Sequence, residues 1–124
     1  MKLATGVDII EIERFEGTMD RQGERFKKRF YTARELEQVG NNVASLAVRF
    51  AAKEAISKAL GTGMGKTRPI EMEVVLNDVR APHVQLHGEA KRVAENLGLH
   101  TWSISLSHSD KYAVAFVVAM GDGD

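Results

Sequence analysis

No cysteine occurs anywhere in the chain. That excludes disulfides, thiolate catalysis and cysteine-based zinc sites, and it fits a reducing compartment. Net charge is missing too: Lys plus Arg and Asp plus Glu both number 17, a formal charge of zero. Bulk attraction to nucleic acid or to a membrane surface is therefore not expected. No apolar run approaches the roughly 20 residues of a membrane span. The opening Met1-Lys2-Leu3-Ala4-Thr5-Gly6-Val7-Asp8 lacks the apolar core of a signal peptide. These absences make a soluble cytoplasmic protein the expectation. What is present suffices for a core: 44% of the 124 residues are hydrophobic, which suits a single domain spanning 1–124.

The periodicity predicts an α+β fold. Leu3 to Ile10 reads as an apolar strand broken by Asp8, then a charged helical turn from Glu11 to Phe15. Gly17 is expected to interrupt, with a second short helix near Arg21 to Arg29. Thr32-Ala33-Arg34-Glu35 is a capping box, with Tyr31 and Leu36 placed as a hydrophobic staple, so a helix starts at Thr32 and stops near Gly40. Asn42 is suited to cap the main helix, Val43 to Leu60. Val43, Leu46, Ala47, Phe50 and Ala51 form one apolar stripe, and Val48, Ala52, Ile56 and Leu60 a second, so this helix is buried on more than one side. Gly61 and Gly63 end it. Ile70 to Leu76 and Val84 to Leu86 read as strands around a turn at Asn77-Asp78. Gly88 to Leu97 is helical, with Gly98 as its stop. Thr101 to Ser107 sets Trp102, Ile104 and Leu106 against alternating serines, and a hairpin at His108 to Lys111 joins it to an apolar strand, Tyr112 to Met120. The expected architecture is a mostly antiparallel sheet packed against one long helix. The last strand is either a subunit interface or a central core strand. The acidic end, Gly121-Asp122-Gly123-Asp124, is expected to fray.

The chemistry concentrates in Arg49-Phe50-Ala51-Ala52-Lys53-Glu54-Ala55-Ile56-Ser57-Lys58-Ala59-Leu60-Gly61-Thr62-Gly63. Glu54 and Lys58 lie one turn apart on one face. Alone, they read as a surface pair contributing about 0.3–0.5 kcal/mol. Asp8 interrupts an apolar strand and needs a hydrogen bond, a cation or a metal, unless it caps the turn that follows. Two carboxylates with water and phosphate oxygens suit Mg²⁺. The Gly61-Thr62-Gly63-Met64-Gly65-Lys66 loop is weak evidence for phosphate, because it lacks the Walker spacing and follows a helix where a P-loop precedes one.

Ser107-His108-Ser109-Asp110 invites a hydrolase reading, but residues adjacent in sequence do not make a triad and no nucleophile elbow is present. His83, His87 and His100 show no ligand spacing and read as surface residues. From Asp20 to Arg34 six basic residues (Arg21, Arg25, Lys27, Lys28, Arg29, Arg34) face only Asp20 and Glu24. This is either a solvated face or a docking surface. If helical, Arg14, Arg21, Arg25 and Lys28 gather on one side, with Phe26 and Phe30 adding apolar contact for an acidic partner. An RNA-binding reading is weakened by the zero net charge and the lack of an aromatic stacking platform.

Four segments together resemble the holo-[acyl-carrier-protein] synthase family, the short, group I 4′-phosphopantetheinyl transferases. They are Gly6-Val7-Asp8-Ile9-Ile10-Glu11-Ile12-Glu13-Arg14-Phe15, Thr32-Ala33-Arg34-Glu35-Leu36, the Arg49 to Gly63 segment, and Ser105-Leu106-Ser107-His108-Ser109. They follow the family's order and spacing over nearly the whole chain, and Arg-Phe-Ala-Ala-Lys-Glu is the most specific. The one departure is Val7, where Leu or Ile is commoner. The resemblance implies the 4′-phosphopantetheinyl transferase fold and reaction: the phosphopantetheine arm moves from coenzyme A to a serine of apo acyl carrier protein, in fatty acid biosynthesis, releasing adenosine 3′,5′-bisphosphate. It implies that Asp8 and Glu54 ligate Mg²⁺ and that Lys58 lies near the pyrophosphate. It also implies that His108 lines the coenzyme A site, with Gly61, Thr62 and Gly63 beside the nucleotide. Arg14, Arg21 and Arg25 match the surface for the acidic carrier helix, and the family forms homotrimers with sites at subunit interfaces. The implied catalytic residues are Glu54 and Lys58. The proton of the carrier serine goes to Glu54 or to a metal-bound water that Glu54 orients. No nucleic-acid or membrane partner is implied. The alternative is a non-catalytic module that binds acidic proteins or RNA through its basic helix.

Overall fold

The computed structural model describes residues 1–123. The chain runs β1 (Lys2–Glu11), α1 (Ile12–Gln22), α2 (Glu24–Phe30), α3 (Ala33–Val39), α4 (Val43–Leu60) and the one-turn α5 (Gly63–Lys66). After a 3₁₀ turn at Pro69–Glu71 come β2 (Met72–Leu76), β3 (Pro82–Leu86), α6 (Gly88–Asn96), β4 (Thr101–His108) and β5 (Tyr112–Gly121). The α+β class with one long helix is as expected. Among the described residues the strands form two antiparallel sheets rather than one: β1-β5-β4, and the hairpin β2-β3. No helix of the described residues is long and apolar enough to cross a membrane.

The three-stranded sheet and α4 meet through small residues. Ala113, Ala115, Val117 and Ala119 of β5 are fully buried, as are Ala51, Ala52 and Ala55 of α4. Without bulk between them, the backbones come close. A Cβ on Gly6 would lie 1.8 Å from the Ala55 carbonyl oxygen, so only glycine allows β1 to rest on α4 there. A second core gathers Phe15, Phe26, Tyr31, Leu46 and Ala47 under α1 and α2, with Phe15 and Phe26 edge to face at 5.5 Å. The Tyr31 hydroxyl donates to the Leu46 carbonyl at 2.7 Å.

The capping box forms as the sequence predicts: the Glu35 amide donates to Thr32 Oγ1, and the Thr32 amide to Glu35 Oε1. Asn42 caps α4 through Ser45 N at 2.9 Å. Gly17, expected to interrupt, lies inside α1, and the break falls at Gly23, whose φ of 63° ends α1. Gly61 ends α4 in the left-handed region, whereas Gly63 opens α5. The C-terminal end does not simply fray: Gly121 closes β5, Gly123 N donates to Gly98 O at 3.3 Å, and Asp124 lies outside the described residues. Strand β5 is central, with one face buried on α4. The opposite face of the sheet exposes Leu3, Val7, Ile9, Phe116 and Met120, with Leu3 opposite Met120 and Val7 opposite Phe116.

Helix α3 binds the hairpin sheet with side chains. Glu35 Oε2 accepts from Val74 N, and Gln38 Oε1 from Leu76 N, so a carboxylate and a carboxamide oxygen satisfy the edge of β2. Beside them Glu73, 3% exposed, accepts from Thr32 Oγ1 at 2.5 Å and Arg34 NH2 at 2.7 Å, and its Oε1 lies 2.9 Å from His87 Nε2. His87, read from sequence as a plain surface residue, is thus tied into a network. Burial pushes the Glu73 carboxyl up, but the hydrogen bonds from Arg34, Thr32 and His87 outweigh it and hold it at about 2, below the ordinary 4.5. A lowered folded value means that ionised Glu73 stabilises the fold at neutral pH and that this contribution fades as pH falls through about 5 toward 2. Thermal unfolding of Glu73→Gln should therefore give a lower Tm than wild type at about pH 7, with the gap narrowing at about pH 3. A gap independent of pH would remove the carboxylate charge from this account.

Candidate active site between the first strand and the long helix

Gly6 and Asp8 lie on the same face of β1, the face turned to α4. Because Gly6 seats directly on Ala55, Asp8 reaches the flank of α4 that carries Glu54 and Lys58. Lys58 Nζ donates to Asp8 Oδ1 at 3.2 Å and to the Val7 carbonyl at 2.9 Å. Asp8 therefore has a cationic partner and does not cap the following helix, whose N-cap is Glu11. Nor does Lys58 pair with Glu54 along the helix: among the described residues its ion pair is with Asp8. Glu54 is half-buried and stands in no ion pair with a described residue. Burial pushes its carboxyl up, Asp8 pushes the same way, and Lys58 pulls it down.

This donor set fits a hard divalent cation. Asp8 and Glu54 are close enough to repel, and the Lys58 ammonium pulls the other way. No third His, Cys, Asp or Glu joins them among the described residues. An ion such as Mg²⁺ that keeps waters and accepts substrate oxygens does not need one.

The Gly61-Thr62-Gly63 turn follows Lys58 directly, with Gly61 N bonded to Lys58 O and Thr62 N to Ser57 O. Thr62 Oγ1 lies 3.2 Å from Thr67 Oγ1. His108 ends β4 in the register row Ile10–Ala113–His108, two positions along the strands from the row Asp8–Ala115–Leu106. Strand β5 therefore separates it from β1, its ring is exposed, and within the described chain it bonds none of Asp8, Glu54 and Lys58. The structure thus brings Asp8, Glu54, Lys58 and the glycine turn together and leaves His108 apart.

The basic residues divide between two helices, Arg14 and Arg21 on α1 and Arg25 on α2, because Gly23 breaks the run. Arg14, Gly17 and Arg21 line a shallow polar groove with Glu11 and Glu13. Phe26 is 3% exposed, so it lines the adjacent apolar groove with little surface of its own. That groove, of about 470 Å³ and lined by Ile9, Ile10, Phe15, Phe50 and Tyr112 with Arg14 at its rim, connects the basic helices to β1.

Two cations of the signature helix escaped the sequence reading. Lys53 is fully buried, and Arg49 is 4% exposed, with NH1 on the Ser45 carbonyl at 3.3 Å and Nε without a partner among the described residues. The available signal was their place in the helix's buried periodicity, where a charge needs a dedicated partner.

The model of the 4′-phosphopantetheinyl transferase superfamily matches residues 4–117, and the chain belongs to that superfamily. It is 45% identical to the holo-[acyl-carrier-protein] synthase of Herpetosiphon aurantiacus, over 96% of this chain and 99% of that protein. It is 41% identical to the one from Ruminiclostridium cellulolyticum, over 98% and 96%. Its fold is similar to that of Helicobacter pylori holo-[acyl-carrier-protein] synthase in complex with coenzyme A, with TM-score 0.85, 31% identity, and coverage of 94% of this chain and 99% of that one. The Bacillus anthracis synthase in complex with CoA (3′,5′-ADP) gives TM-score 0.78 at 34% identity, over 96% of each chain. The resemblance and the fold class read from the sequence are borne out.

Proposed function

We propose that this chain transfers 4′-phosphopantetheine from coenzyme A to a serine of apo acyl carrier protein, with Mg²⁺, releasing adenosine 3′,5′-bisphosphate. The observation that carries the reading is the convergence of Asp8, Glu54 and Lys58 across β1 and α4. Asp8 and Glu54 would hold Mg²⁺, which when bound neutralises pyrophosphate charge and favours the bisphosphate as leaving group. Lys58, already beside Asp8, turns its ammonium to the pyrophosphate, and Gly61, Thr62 and Gly63 lie where the nucleotide enters. The serine oxygen bonds to the phosphorus of the pantetheine arm as the bond to the bisphosphate oxygen breaks. This step needs positioning and charge stabilisation rather than covalent help. The serine proton would go to Glu54 or to a water that Glu54 orients.

His108 completes the coenzyme A site from a second copy of the chain. The bare apolar face around Val7, Phe116 and Met120 supports this, because a trimer interface would cover it. The reading places the protein in the cytoplasm, in fatty acid biosynthesis. Calorimetric titration of coenzyme A with and without Mg²⁺ tests the site: binding should depend on the ion, and ion-independent or absent binding would contradict it.

Arg14, Arg21 and Arg25 form the surface for the acidic carrier. In steady-state kinetics Arg14→Glu with Arg21→Glu should raise KM for the carrier about 10- to 100-fold, and more at low salt. Coenzyme A affinity should stay nearly unchanged. Equal losses for both substrates would refute the docking assignment.

A further inference from the structure

We propose that Lys53 is a positioning residue for the transfer reaction, acting with Glu35 to fix the helix turn that carries Glu54 and the return of the loop that follows Lys58. The inference rests on the transferase reading above. Lys53 is fully buried in mid-helix, and all three protons of its ammonium are used: on Glu35 Oε1 at 2.9 Å, on the Pro69 carbonyl at 3.0 Å and on the Met72 carbonyl at 2.9 Å. Glu35 in turn accepts from Thr32 N at 2.9 Å and Val74 N at 3.0 Å. The pair therefore joins α3, α4, the 3₁₀ turn and β2 at one point.

A buried ion pair is a poor way to gain stability, because apolar residues of similar volume often serve as well or better. What the pair adds is direction. Each hydrogen bond has a fixed geometry, whereas an apolar contact tolerates sliding and rotation. Lys53 and Glu54 are neighbours on α4 and project about 100° apart. Fixing Lys53 on the α3 and β2 side sets the rotation at which Glu54 meets Asp8 on the β1 side. The same ammonium grips Pro69 and Met72, so the segment 61–68 is anchored by Gly61 at its start and by Lys53 at its end. The hydrogen bonds of Lys53 go to α3, the 3₁₀ turn and β2, and none goes to the basic residues of α1 and α2.

The test uses the full-length protein carrying Lys53→Met, and Lys53→Met combined with Glu35→Gln. The single variant strands a buried carboxylate and is expected to fold less stably. The double variant removes that charge and keeps the experiment decisive if the single one unfolds. In folded protein, calorimetry should show coenzyme A binding weakened about tenfold, and kcat should fall about tenfold. KM for the carrier should stay within about twofold. Wild-type affinity and kcat in the folded double variant would show that the pair is only structural, and so would an equal rise in both KM values. A wild-type protein that neither binds coenzyme A nor transfers would instead overturn the transferase reading.

Discussion

The Glu54→Gln variant is expected to lose transfer activity by about a thousandfold in kcat/KM while remaining folded. The substitution keeps size and hydrogen-bonding capacity and removes one negative charge. At the site this leaves Asp8 as the only carboxylate, and Asp8 is already engaged by Lys58 at 3.2 Å. Stability should move the other way. Because burial and Asp8 raise the Glu54 carboxyl, its ionised form is disfavoured by folding at neutral pH. Neutral glutamine relieves that, so the Tm should equal or exceed that of wild type. A residue that lowers stability while supporting activity is the signature of a functional site. Activity within about tenfold of wild type, or a clear drop in Tm, would show that Glu54 has another role.

Gly6→Ala should destabilise the protein by about 3 kcal/mol, the upper range for overpacking. The added methyl would meet the Ala55 oxygen at 1.8 Å and its carbonyl carbon at 2.7 Å, both backbone atoms of a fully buried helix segment. Neither can yield as a side-chain tip could, so β1 must lift off α4 and carry Asp8 away from Glu54 and Lys58. The folded fraction should accordingly bind coenzyme A more weakly in the presence of Mg²⁺. Gly17→Ala is the control. It lies inside α1, and its Cβ would approach nothing nearer than Arg21 NH1 at 3.4 Å, so it should stabilise by about 0.5–1 kcal/mol. Thermal and denaturant unfolding of both variants decide the matter, and a Gly6→Ala protein as stable as wild type would disprove the close approach.

The contrast between these glycines shows what the sequence could carry. Signals that act within one turn of chain are legible: the Thr32–Glu35 capping box, the Asn42 cap, the Gly98 stop and the alternation of Trp102, Ile104 and Leu106 all recur in the structure. Gly17 misled because its helix penalty is about 1 kcal/mol. Burial of Phe15 and Met19 on either side favours a continuous α1. The break at Gly23 follows from a positive φ, which no neighbouring residue announces.

The site was partly legible for the same reason. Helical spacing offers Glu54 as the partner of Lys58, but the ammonium reaches Asp8, which β1 brings close only through the Gly6–Ala55 contact. The burial of Phe26 and the full burial of Lys53 likewise depend on elements distant in sequence.

The most direct test of the central claim is mass spectrometry of apo acyl carrier protein after incubation with this protein, coenzyme A and Mg²⁺. The account predicts that the carrier gains one phosphopantetheine. It also predicts that the gain fails when Mg²⁺ is chelated, and that the Glu54→Gln variant shows almost none over the same interval. An unmodified carrier in the presence of folded wild-type protein, coenzyme A and Mg²⁺ would contradict it.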